Sequence, residues 1–548
     1  MEHSSLHALQ LCGIVVAFGG PFLMLAVFFP ACRAIHNSPL PTLADTLPAS
    51  VSRWVFISAL VAGVAAFLNL FVDVAEARNQ TIFGGVSLGE VWRFATMPFV
   101  GRLYSANIVA LLLTAAAARL PGKSKWWFSG LFALVATGLA SLISHAAAQP
   151  TGQVVAVAFQ LAHVSAAGIW LGGLIHLLLA RSRILDATDA AGTALIAQTV
   201  KRFSPIAFTA VLALGVSGAV AAVRYLVTPA AVPTSAYGLT LTLKLLLIIP
   251  LLYAGFMNFR VIRPRLLAVQ NDPKADDQAR GALLRRFGKF LELEVTLGVL
   301  VVLIAGIVAS ISPPANVGNL RLTSAQWHAL LSPDLPTTAI VSPETFYGAA
   351  ERTVDDLRYA EFTHNWSGVM VCVLGLCWLV QSLGGRFSRW AERAWPVCLA
   401  PFALFILVAA DPEVWLMRKV SYLEAISDPS VLEHQFSALL VFILVWLGWR
   451  DRHHSPDQRP LGYALPLLMM LGSLLLLGHA HSNLNTSQEL TNLINVQHAV
   501  FGTFGLGAGI IRWLSLRGLF PNRIARVAWP GLVLALGLFM TFFYREVV

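Results

Sequence analysis

Seven histidines carry the chemistry that this chain's sequence offers: His145, His163, His364, His434, His479, His481 and His498. All lie inside or at the ends of long apolar stretches. An ionisable ring is costly in hydrocarbon, so such residues face a bundle interior and mark a site. Imidazole suits copper, zinc and iron. Four positions after each helix-embedded ring comes a small residue: Ala167, Gly368, Ala438 and Gly502. That position shares the ring's helix face, leaving room beside the ring for a close helix or a flat cofactor. Gln160, three residues before His163, is placed to orient that ring, and Asn365, Glu433 and Gln497 adjoin others. Metal-binding histidines require partners of this kind.

The elements that position these rings are membrane spans. A chain of 548 residues, 57% hydrophobic and only 12% charged, is not a soluble globular protein. About fourteen stretches approach the roughly 20 residues of a bilayer crossing, which predicts an all-α polytopic membrane bundle. The tenth, near residues 396–410, is the shortest. A Pro-, Ser-, Thr- and Asp-rich irregular stretch, 313–361, separates an eight-span module (1–312) from a six-span module (362–548). The N-terminus lacks a basic region and cleavage site, so the first stretch is expected to be retained as a span. The five cysteines form no CxxC and indicate no structural disulfide.

The net charge of +10 reads as topology rather than nucleic-acid binding, because no basic segment is interleaved with aromatics. About 27 Lys and Arg fall in the odd-numbered loops and about nine in the even ones, so odd loops face the cytoplasm and both termini the outside. All seven histidines then fall in the outer half of the bilayer. Among the remaining polar residues, His176 reads as a solvated inner helix end. Glu292 and Glu294 read as a solvated or ion-paired one, and Lys244 as snorkelling outward. No ATP-binding or phosphorylation motif supplies an energy source.

A weak repeat links the two modules. Ser144-His145 ends one span and His163 lies inside the next; Gly478-His479-Ala-His481 ends another, and Gln497-His498 lies inside the one that follows. Glycine-rich helix comes after both second members. Repeats of this sort recur in transporters.

Several segments resemble the copper resistance D family of bacterial inner-membrane proteins. They are SHAAAQ at 144–149, LAHVSAAGIWLGGL at 161–174, RFSPIAFTAVLALGVSGAVAAVRYL at 202–226 and YGLTLTLKLLLIIPLLYAGFMNFRVIRP at 237–264. THNWSG at 363–368, LEH at 432–434, GHAHS at 478–482 and QHAVFG at 497–502 are similar to the histidine-bearing extension of its longer members. The resemblance implies copper uptake from the periplasm toward the cytoplasm, with the seven histidines as ligands and no catalysis. It also implies a separate periplasmic copper-binding partner of the copper resistance C type. The rival expectation is a b-type haem oxidoreductase, since paired histidines on neighbouring helices also suit bis-imidazole ligation. A third is a copper sensor or docking platform without transport.

Overall fold

The computed structural model describes residues 2–35, 42–78, 85–147, 151–270, 272, 275–318, 320–338, 353–411, 421–426, 429–451, 462–478 and 487–547. Among these there is no strand. Thirteen helices are long and apolar enough to cross a membrane, and a fourteenth is apolar but shorter. In chain order they are α1 (Ser5–Ala34), α2 (Thr42–Ala75), α3 (Phe99–Ala117), α4 (Ser124–Ile143), α5 (Gln153–Leu179), α6 (Ala190–Leu226) and α7 (Ala236–Gln270). There follow α8 (Asp277–Val308), α9 (Val354–Leu383), α10 (Ser388–Ala409), α11 (Val431–Arg450), α12 (Ala464–Gly478), α13 (Gln488–Leu516) and α14 (Asn522–Phe543). The protein is an all-α polytopic bundle.

The short crossing is α12, with 15 residues, and not the tenth. Pro396 and Pro401 sit inside the 22 residues of α10 without ending it. Its first turns carry Arg389, Glu392 and Arg393, which cut short the apolar run in the sequence but not the helix. The stretch read as irregular is also partly helical. Thr323 and Gln326 form a capping box that starts a helix at Ser324–Leu331, and Thr353 and Asp356 form another that starts α9 at Val354.

α1 lies at the centre of the first eight helices, packed against α2, α4, α5 and α8. Small residues permit this. A side chain at Gly19 would run into the backbone of Gly168 and Gly172 on α5, and one at Gly306 of α8 would meet Ala8. Three wide π-helical turns interrupt this half, at Leu23–Phe28, Gly168–Gly172 and Asn258–Ile262. In the second half α9 lies along α14, where Gly368 and Gly537 leave room for Thr541 and Cys372.

The halves share one apolar core, in which Leu243 and Leu247 cluster with Met470, Leu477 and Leu506. Polar links reinforce it at both ends. Asn492 of α13 donates to the Thr234 carbonyl at 3.2 Å and accepts from the Ala236 amide at 3.3 Å. At the opposite end Arg517 donates to Glu292 of α8 at 2.5 Å. That bond raises the already high pKa of Arg517.

Candidate metal sites

His364 and His498 each stand ten residues beyond the first residue of their helices, Val354 and Gln488. Their rings meet edge to face with centroids 5.4 Å apart. In both, Nδ1 lies against the carbonyl one turn back on the same helix: Ala360 at 2.8 Å for His364 and Ile494 at 2.9 Å for His498. A carbonyl only accepts, so Nδ1 carries a proton in both rings.

Residues 544–547 fold over this pair. Tyr544, fully buried, stacks on His364 with centroids 4.1 Å apart, and Phe501 lies 5.4 Å from His498. The Tyr544 hydroxyl donates to Glu546 at 2.5 Å. Glu361 accepts from the Glu546 and Val547 amides at 2.7 and 2.8 Å, and Gln497 bonds the Arg545 backbone in both directions at 2.7 and 2.8 Å. Gln497 therefore anchors the tail rather than the neighbouring ring. Asn365 does similar work, binding Thr337 and Met540 of the backbone at 3.0 Å each.

His434 bonds through Nδ1 to the buried Asp411 at 2.7 Å. An imidazole backed by a carboxylate is a common arrangement among metal-binding histidines. Asp411 gave a sequence signal that was passed over: an acid closing an apolar run.

His163 belongs to the first half. Its Nδ1 lies 2.8 Å from Ser217 Oγ on α6. The Ser217 hydroxyl donates to the Ala213 carbonyl at 2.5 Å, so towards His163 it accepts. This ring too holds a proton on Nδ1. The orienting partner is thus Ser217 and not Gln160, and nothing in the sequence joined residues 54 apart. The charge of Lys244 on α7 also acts on this ring.

His145 sits half-buried in the turn closing α4. His479 and His481 lie outside the described residues. Among the described residues no three His, Cys, Asp or Glu side chains converge as a metal-sized group. The structure thus brings His364 and His498 together, and gives His163 and His434 separate partners.

Three sequence expectations change. The small residues beside the rings are occupied by neighbouring helices: a side chain at Gly368 would meet Thr541 and Met540, and one at Gly502 would meet Leu477 and Ser473. They serve close helix approach rather than a flat cofactor. His176 is not solvated but 1% exposed, with Nε2 against the Val16 carbonyl of α1 at 2.9 Å. Its fixed proton is therefore on Nε2, the reverse of the other four rings. Finally, Glu292 and Glu294 part company. Glu292 is ion-paired as expected, whereas Glu294 is 3% exposed and has no ion pair among the described residues.

Residues 197–308 match the family model of copper resistance protein D. The matched segment runs from α6 through α8. It therefore contains Ser217, which bonds His163, and Lys244, whose charge acts on that ring, together with Asn258 and Glu294. It also covers the two longest stretches of sequence resemblance, 202–226 and 237–264. The seven histidines themselves lie outside the copper resistance D match. No curated protein and no solved structure matches the chain. The match ties this multi-pass membrane protein to copper resistance or handling.

Proposed function

We propose that the protein binds copper at histidines near the end of the bundle that carries both termini and moves it to the other side. The charge asymmetry of the loops makes this uptake from the periplasm across the inner membrane. The observation that carries the reading is the anchoring of four rings through the same nitrogen. His163, His364, His434 and His498 all have Nδ1 engaged by a partner that fixes the ring, the outer-partner arrangement that metal-binding imidazoles share. Two of these partners are the helix's own carbonyl one turn back, and two, Ser217 and Asp411, come from elsewhere in the chain. His364 and His498 form one binding place, His163 another beside the copper resistance D segment, and His434 a third candidate ligand. His145, His479 and His481, which close apolar runs in the sequence, complete the proposed set. A separate periplasmic copper-binding chain of the copper resistance C type is the proposed donor. Catalysis forms no part of this reading.

The haem alternative has less support. Tyr544 and Phe501 flank the His364–His498 pair, where a macrocycle would have to lie. The deciding experiment is an absorption spectrum of the purified protein, oxidised and dithionite-reduced, with copper quantified on the same sample. Bound copper that falls in the His163→Ala and His498→Ala variants, without a Soret band, supports copper handling. A Soret band lost with His364 or His498 overturns it.

A further inference from the structure

α8 carries two carboxylates two residues apart that meet opposite surroundings. Glu292 is paired with Arg517 at 2.5 Å and lies 3.8 Å from Arg181. Glu294 points into the first-half core, where its sole hydrogen-bond partner among the described residues is the Asn258 amide at 2.5 Å. Asn258 opens the π-helical turn of α7. One turn before it Gly255 leaves the space that the carboxyl fills: a side chain there would come within 2.9 Å of Glu294 Oε1. The second amide atom, Asn258 Oδ1, is buried with no hydrogen-bond partner among the described residues.

A third polar group lies at the same depth. α8 and α5 run antiparallel, with Gly298 packed against Leu171. Glu294 is four residues from Gly298 and His176 five from Leu171, which is about 6 and about 7.5 Å further from the termini at the helical rise. His176 Nδ1, the ring nitrogen without the fixed proton, is buried and has no partner among the described residues. Of the charged groups on these helices, those nearest along the chain are Lys289 and Glu292 on α8, Arg260 and Arg263 on α7, and Arg181 just beyond α5. None pairs with Glu294 among the described residues.

An ionised carboxylate in such a place is strongly disfavoured without a cation. Oxygen donors from one carboxyl and one amide do not suit soft Cu(I). A proton removes the charge with no further ligand. We propose that Glu294, braced by Asn258 and level with His176, is a proton-binding site through which copper movement is coupled to proton movement. Binding converts the carboxylate to the acid, and release to the other side restores it. The cargo rests on the copper reading above; the carboxyl site does not.

The test uses the full chain in liposomes. Infrared difference spectra between acidic and alkaline buffer are expected to contain the carbonyl stretch of a buried carboxylic acid, lost in Glu294→Gln and shifted in Glu294→Asp. Identical wild-type and Glu294→Gln spectra overturn the site. With a pH dye trapped inside, copper addition is expected to move protons in wild type but not in Glu294→Gln, which keeps wild-type copper stoichiometry. Unchanged proton movement in that variant overturns the coupling. A wild type that binds no copper but keeps the carboxyl band removes the copper reading and the coupling, and leaves the site standing. Asn258→Ala, which keeps the carboxyl, is expected to shift the band without removing it. This separates loss of the proton from loss of the fold.

Discussion

His364 and His498 stand at equal distances along two different helices, and each is tied through Nδ1 to its own backbone one turn back. Neither ring relies on the other for its tautomer, yet their centroids are 5.4 Å apart. Shared copper binding therefore predicts strong coupling between them. Competition titrations should find that His364→Ala, His498→Ala and the double variant lose nearly the same affinity. Additive losses would mean two independent ligands and no common place.

Ser217 is a positioning residue for His163. Ser217→Ala frees the Nδ1 proton and should weaken copper binding at His163 by about tenfold, the scale of an outer partner's effect on a metal ligand. Ser217→Thr, which keeps the hydroxyl, should retain binding. Equal affinities for the two variants would show that the hydroxyl does not set the ring.

Lys244 opposes a second positive charge beside His163. Replacing it with Gln should tighten copper binding there by about fivefold, or about 1 kcal/mol at the effective dielectric of a protein site. Low salt should not exaggerate the change much, since the residue lies within a span. Weaker binding in Lys244→Gln would make the ammonium a structural support instead.

Arg517 neutralises Glu292 across the two halves. Arg517→Ala strands a mostly buried carboxylate and should lower stability by about 2 kcal/mol. The double variant Glu292→Gln with Arg517→Gln should recover part of it. Thermal unfolding in detergent reads both, and a double variant worse than the single one contradicts the pairing.

Gly172 and Gly215 make a matched control for helix packing. Alanine at Gly172 would collide with the Val15 carbonyl of α1 and should destabilise by about 2 kcal/mol. Nothing lies within 4 Å of a side chain at Gly215, where alanine should be neutral or stabilise by about 0.5 kcal/mol through helix propensity. Comparable melting temperatures for the two would contradict the close contact of α1 with α5.

Hydrophobicity alone located all fourteen helices, since a bilayer crossing demands a long apolar run and little else in a chain produces one. Its errors fall where a local rule misled. The charged first turns made α10 look short, and the capping boxes at Thr323 and Thr353 were lost in a stretch that composition marked as loop. The histidines were legible as an ionisable set in apolar helices. Their grouping was not.

What the sequence by itself determined was the class of fold, where the apolar helices run and the types of side chain available for chemistry, because these follow from composition and spacing along one helix. Tertiary structure alone decided which side chains meet. It set Ser217 against His163, Tyr544 over His364, and Arg517 against Glu292 while leaving Glu294 to Asn258. Each pairing joins different helices, and the packing of glycine and alanine faces fixes which helices touch. Little more than half a turn of α8 separates a neutralised carboxylate from a buried one, and only the neighbours distinguish them.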